Sequence, residues 1–332
     1  MFKMQRNVLV LSLAIVLLFS AVAFAGVAED PRDKPVAIKM VTPFASGHII
    51  ADACDAFKSL VEEESGGRIT VQISKGYGSE ISTNLECSKG TVDMQWAGGQ
   101  PIQEFSPKYF FFNGPFVIKD YAHFERVWKS KLGKDCRDEI EKNGNMVSLS
   151  TIYRGFRQTT ANKSLTTPDD FAGLRLRLPL VPDWVTIWKA VGTTPIQYPL
   201  DQLYFSLKSG QAEASEGDLA QIASYKLNEV QSQLIMTNHS VAVGWSTINK
   251  TFYSNLSERD RALVNKCMDQ AAWWATLKTK MDEGKYLSQL KSAGMTVIEP
   301  DSEAIRAKAK PVVEEMFKTQ WPVTTWAQVL AI

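Results

Sequence analysis

The sequence predicts an α/β protein of two lobes, each a doubly wound sheet flanked by helices, joined by crossover strands and a long helix. Three observations predict it. Strand-like and helix-like patterns alternate as βαβαβ over residues 36–97, an order that favours parallel strands with helices on both faces. A second α/β alternation occupies residues 174–215. The apolar run Val241–Ile248 can then carry the chain back to the first unit. A chain that leaves one α/β lobe and re-enters it builds two lobes with two or more crossovers. The cleft between them is the default ligand site, and the joining strands are the natural hinge.

The N-terminus combines Lys3 and Arg6 with the apolar run Val8–Phe19 and the ending Ala23-Phe24-Ala25. A basic flank, a short apolar run and an A-x-A ending mark a secretory signal peptide, with cleavage expected after Ala25. The run falls short of the roughly 20 residues that span a bilayer. No cysteine follows it closely, so no lipid anchor is expected.

Beyond it, Val36–Val41 is predicted as a strand and Ser46–Glu64 as a helix, with Ile49, Ala53, Phe57, Leu60 and Val61 at 3/4 spacing. Gly66-Gly67 ends that helix. Arg68–Ile73 is strand-like, Ile81–Lys89 helical and Asp93–Ala97 a short strand. After Gly114-Pro115-Phe116, helices over Tyr121–Lys131 and Lys134–Asn143 lead into a strand over Met146–Ile152. The second unit reads strand Leu174–Leu178, helix Asp183–Val191, strand Thr194–Tyr198, helix Asp201–Ser209 and strand Ala212–Ser215. Ser257–Lys291 is a long helical stretch with Ser257 as its N-cap. The expected division is residues 1–25 signal, 26–153 the first part of lobe I and 154–243 lobe II. Residues 244–332 then return to lobe I, with the long helix and C-terminal helices packing across both lobes.

The 37 basic and 36 acidic residues nearly cancel, so no global field attracts nucleic acid or an anionic membrane. Charge selectivity must be local. Cys54, Cys87, Cys136 and Cys267 permit one or two disulfides in an oxidising compartment, or half-buried thiols; their spacing leaves the pairing open and matches no zinc pattern. His48, His123 and His239 are too far apart for a local metal motif, and His48 and His239 suit structural hydrogen bonds. There is no G-x-S-x-G elbow, no phosphate-binding G-x(4)-G-K-[ST] and no G-x-G-x-x-G. No catalytic residue, metal or cofactor is expected.

The segment Gly155–Pro179, GFRQTTANKSLTTPDDFAGLRLRLP, sets Arg157 and Arg177 at the ends of two predicted strands. A partly buried guanidinium needs a planar anion opposite it, and a free carboxylate is the natural one. Alternation in L-R-L-R-L places Arg175 and Arg177 on one face, so the bland alternative is a pair of solvated edge-strand cations. Trp96, Trp184 and Trp245 are candidate pocket walls, with core burial as the ordinary reading of each. Asp183-Trp184 opens the helix that follows the arginine strand. Arg154 ranks behind Arg157.

These motifs resemble a known family. PFASGH at Pro43–His48, Gly66-Gly67-Arg68, Gly114-Pro115-Phe116, GFRQTT, TTPDDFAGLRLRLP, GTTPIQYPLDQLYFSLKSG and KLNEVQSQLIMTNH are similar, in order, to signatures of the solute-binding subunits of TRAP (tripartite ATP-independent periplasmic) transporters, the dicarboxylate-binding type. The resemblance implies a two-lobe periplasmic-binding-protein fold. It also implies a periplasmic receptor, not an enzyme, that captures a small organic acid and hands it to integral-membrane permease subunits driven by an ion gradient. A monomer is expected. The resemblance places Arg177 at the family's principal carboxylate-clamping arginine, Arg157 at a second carboxylate contact and Trp96 at a pocket wall. One segment departs. Where many relatives read G-Q-E-N-P, with a ligand-touching asparagine, this chain has Ala214-Ser215-Glu216-Gly217-Asp218. An amide can donate, whereas an ionised aspartate only accepts. Glu216, Gly217 and Asp218 are therefore expected at the ligand, favouring hydroxyls or an amino group beside its carboxylate, as in a sugar acid. The tryptophans favour an aromatic acid instead. A binding protein of an ATP-driven importer and a secreted enzyme using the same cleft are the rival readings.

Overall fold

Strands β1 (Val36–Thr42), β2 (Ile69–Lys75), β3 (Met94–Ala97), β4 (Met146–Ala161), β5 (Arg175–Leu178), β6 (Thr194–Gln197), β7 (Ala214–Asp218), β8 (Gln233–Asn249) and β9 (Thr296–Ile298) join in one sheet. Its order is β2-β1-β3-β8-β4-β7-β5-β6, with β9 added beside β8. The computed structural model describes Arg32 and residues 34–332; the expected signal segment lies outside the described residues. In one lobe β1 is parallel to β2 and β3, and in the other β5 is parallel to β6 and β7, as helical crossovers require.

The lobes share β4 and β8. These pair antiparallel from Met146 opposite Asn249 to Ala161 opposite Gln233. One end of the pair lies beside β3 and the other beside β7. Met146–Ile152 and Val241–Ile248 were the predicted strands; both continue across the junction between the lobes. The missed parts carry Arg154, Arg157, Thr159, Thr237 and His239, all buried. Polar residues inside a strand erase the apolar alternation by which a strand is recognised. Residues 153/154 and 243/244, the expected lobe limits, fall inside these two strands.

Alternation along the strands divides the apolar side chains between the two faces of the sheet. Ile38, Met40, Met94, Trp96 and Ile248 join Phe57 and Met268 in one cluster. Val41, Tyr153, Val243 and Trp245 join Phe112, Trp128, Trp188 and Trp321 in the other.

The helix Ile49–Glu64 begins after His48, not at Ser46, because His48 Nδ1 accepts from Ile50 N at 3.1 Å and caps it. The predicted helix over Asp201–Ser209 divides into a 3-10 turn, Leu200–Gln202, and a short helix, Leu203–Lys208. The strand expected at Ala212–Ser215 is shifted to β7. Its last residue, Asp218, caps an unpredicted helix, Leu219–Ser224, by accepting from Gln221 N at 2.8 Å. The long helix Glu258–Ser292 starts at the Ser257 cap. It packs on Ile49–Glu64, β4 and Leu219–Ser224, so it spans both lobes. Helix Ser302–Thr319 packs on helix Pro182–Val191. Beyond it, Trp326 Nε1 donates to Val117 O at 3.2 Å. The four cysteines are buried, unpaired thiols, and burial pushes each thiol pKa up.

Candidate functional site

Arg154 and Arg157 are three residues apart, and a regular strand would send them to opposite faces. Gly155, with φ of +100°, and a register shift between Tyr153 and Phe156 reset the alternation. Both arginines consequently line the same interlobe cavity. Their neighbour β7 supplies a carboxylate for each. Arg157 Nε donates to Glu216 Oε2 and its Nη2 to Oε1 at 2.8 Å. Arg154 Nη2 donates to Asp218 Oδ2 at 2.7 Å. Both carboxylates are fully buried. Burial alone would raise their pKa values, but Arg157 holds Glu216 down at about 2, and Arg154 holds Asp218 below the usual carboxylate range.

Two histidines complete this layer. His239 Nε2 lies 3.2 Å from Glu216 Oε2, and His48 Nε2 lies 3.4 Å from Arg154 Nη2. Burial lowers both pKa values, that of His48 to about 3, so both are neutral near pH 7. The guanidinium of Arg154 sits over the Phe44 ring, 4.6 Å from its centroid, and that of Arg157 over Trp184 at 5.0 Å. Both are cation–π contacts.

Arg177 differs from this pair. Its side chain is 1% exposed, and its Nε and Nη2 both donate to Tyr198 O, at 2.9 and 2.6 Å. It makes no ion pair among the described residues. Burial, with Arg157 adding repulsion and Glu216 opposing it, lowers its pKa to about 10. The site therefore balances Arg154 against Asp218 and Arg157 against Glu216, and leaves Arg177 with no carboxylate of its own.

The first lobe closes the cavity with Phe44, Glu80, Gly98, Gly99, Gln100 and Asn113. Glu80, behind the Ser79 cap of helix Glu80–Lys89, accepts from Gly98 N at 3.0 Å through Oε1. Trp184 Nε1 donates to Asn113 O at 2.7 Å, a direct link across the cleft. Gln221 fills the space beside Gly217, where an added Cβ would stand 2.6 Å from its Nε2. The free space between these side chains comes to about 30 Å³, room for one or two waters. The lobes thus stand closed on their own side chains.

Of the residues singled out from the sequence as ligand contacts, Arg157, Arg177 and Trp184 line this cavity, as does the lower-ranked Arg154, and Trp96, Asp183, Glu216, Gly217, Asp218 and Trp245 do not. Trp96 and Trp245 are corrected to core positions: Trp96 is fully buried, and Trp245 packs edge-on against Phe124 and Trp128. Asp183 accepts from Trp321 Nε1 at 2.9 Å and thereby holds the C-terminal segment. Glu216 and Asp218 are one step behind the cavity, engaged by arginines, because Arg157 and Arg154 lie between them and the open space. Gly217 is covered by Gln221. Sequence reasoning missed Glu80, Gln221 and Asn113 at the cavity. Glu80 reads as an ordinary first-turn acid, and Gln221 lies on a helix too short to be detected.

The family model for bacterial extracellular solute-binding proteins, family 7 (DctP), matches residues 40–320. The sialic acid-binding periplasmic protein SiaP of Vibrio cholerae is 28% identical over 280 residues, covering 84% of this chain and 87% of that protein. The 2,3-diketo-L-gulonate-binding periplasmic protein YiaO of Escherichia coli is 27% identical over 275 residues, covering 81% and 83%. The crystal structure of a TRAP periplasmic solute-binding protein from Roseobacter denitrificans with bound L-galactonate superposes with a TM-score of 0.82 at 26% identity, covering 90% of this chain and 99% of that one.

Proposed function

The chain belongs to family 7 of the bacterial extracellular solute-binding proteins, the TRAP receptor family, and from that premise we propose that it is a periplasmic receptor for a polyhydroxy monocarboxylate, delivered to TRAP permease subunits. One observation carries the ligand class: Arg177 is a buried cation that makes no ion pair among the described residues, in a cavity whose other two arginines are each paired with a carboxylate. A buried, unpaired guanidinium is costly, and a ligand carboxylate meeting its planar fork removes that cost. The third carboxylate at the cavity, Glu80, makes no ion pair with Arg177, so the guanidinium remains open to one ligand carboxylate. Arg157, with Nε and Nη2 committed to Glu216, adds its remaining face as a second donor.

Glu80 replaces Glu216 and Asp218 as the acceptor that rewards hydroxyls or an amino group. It lies on the opposite lobe from Arg177, so a ligand with a carboxylate at one end and hydroxyls at the other would draw the lobes together. Sialic acid, 2,3-diketo-L-gulonate and L-galactonate, named for three relatives, are all monocarboxylates of this kind. The aromatic-acid reading loses Trp96 and Trp245 to the core, and the face of Trp184 is occupied by Arg157. Because β4 and β8 are the long strands that cross between lobes, they are the proposed hinge, opening to admit ligand and closing around it.

A thermal-shift and calorimetric screen tests this reading with L-galactonate, related sugar acids, their methyl esters and simple dicarboxylates. A sugar acid at 100 times its dissociation constant should stabilise the protein by about 2.7 kcal/mol, and its ester should not. Equal binding of acid and ester, or preference for a simple dicarboxylate, would overturn the monocarboxylate assignment.

A further inference from the structure

Large apolar side chains are seldom left in water in contiguous groups unless something covers them. Among the described residues, seven are exposed, and four of these, Trp273 (67%), Trp274 (39%), Leu277 (38%) and Met281 (80%), lie within nine residues of the long helix Glu258–Ser292. Trp273, Leu277 and Met281 follow one another at i+4 and form a single ridge. Continuing the same spacing in both directions gives Asp269 and Lys285, both exposed. Neither makes an ion pair among the described residues. The ridge therefore reads Asp269, Trp273, Leu277, Met281, Lys285, acidic at one end and basic at the other, with its apolar residues between.

That order complements itself when reversed. A two-fold axis beside Leu277 sets two such ridges antiparallel. Trp273 then meets Met281 of the second copy, and Asp269 meets its Lys285. Ridges at i+4 interdigitate when helices cross at roughly 50°, and a two-fold contact requires one patch to complement itself. A hollow of about 440 Å³ adjoins the ridge beside Trp273 and Leu277, lined also by Tyr121, Trp128 and Thr276. The reversed copy brings Met281 to it, and the flexible thioether suits an irregular hollow. Gly284, where an added Cβ would meet nothing within 4 Å, leaves the flank of the ridge open to close approach.

We propose that the exposed ridge Trp273–Leu277–Met281 of the long helix is a homodimer interface, in which two copies cross antiparallel with Asp269 of each facing Lys285 of the other. The cleft and its arginines take no part, so this interface is independent of the binding reading.

Sedimentation velocity of the purified chain over a range of concentrations tests it. The expected mass doubles as concentration rises. Met281→Glu and Leu277→Asp, both at exposed positions, should each raise the dimer dissociation constant at least tenfold, about 1.4 kcal/mol. Lys285→Glu and Asp269→Lys should each weaken the dimer, and the double exchange should restore it. Circular dichroism of each variant confirms that the fold is kept. A monomer at every concentration overturns the proposal, including the case in which another protein covers the ridge. A dimer indifferent to Met281→Glu, or one that the double charge exchange does not restore, also overturns it.

Discussion

Replacing Arg177 by Met separates binding from folding at one side chain. The guanidinium is 1% exposed, and its pKa is lowered from 12.5 to about 10, chiefly by burial. At 1.36 kcal/mol per unit, holding the charge there costs the ligand-free protein about 3 kcal/mol. Methionine matches much of the stem and removes the charge, but leaves Tyr198 O without its two donors. That loss costs about 1–3 kcal/mol. The net expectation is a ligand-free protein between unchanged and about 2 kcal/mol more stable. Binding moves the other way. Losing one partner of a buried charge pair costs about 2–5 kcal/mol, so affinity for the bound acid should fall at least thirty-fold. Arg177→Lys should also bind weakly, because an ammonium cannot reproduce the planar fork. Urea unfolding and titration calorimetry read the two effects. A variant destabilised by several kcal/mol that still binds the acid would refute the argument, because Arg177 would then be a structural residue.

Acidification should destabilise the fold in two stages. His48 has its pKa lowered from 6.5 to about 3, so below pH 6.5 the unfolded chain takes up a proton that the folded chain refuses. Stability falls from there towards pH 3. Glu216, lowered from 4.5 to about 2, contributes stability that is present above pH 4.5 and lost as pH falls towards 2, the same direction. His48→Asn, which keeps a helix cap, should flatten the first stage of a urea-midpoint profile; an unchanged profile would show that His48 does not titrate as described. Gly217→Asn should push Gln221 from the cavity wall, since an added Cβ meets the flexible end of that side chain. Stability should change by about 1 kcal/mol or less while ligand preference shifts, as competition binding would report. Gly155→Ala should cost about 1–3 kcal/mol through its left-handed backbone and weaken acid binding as well; unaltered stability in urea would mean that the strand irregularity does not depend on glycine.

The sequence by itself determined the two α/β units, the returning strand and the Ser257-capped long helix, because each leaves a local periodic or capping signal. The ordered motifs identified the family, and R-L-R at 175–177 and G-F-R at 155–157 marked two of the three arginines that line the cavity. Tertiary structure alone decided which arginine is uncompensated. Glu216 and Asp218 read as ligand-facing acids until β7 was seen between β4 and β5, placing each carboxylate behind an arginine. Arg154 joined the site only because the break at Gly155 reverses a parity that spacing would otherwise fix. Trp96 and Trp245 looked like pocket walls, but pairing with neighbouring strands sets which face a strand residue occupies, and both were turned into the core. Glu80 and Gln221 carried no signal, since a residue becomes part of an interlobe cavity through the approach of two distant segments, and no pattern along one segment records what will be packed against it.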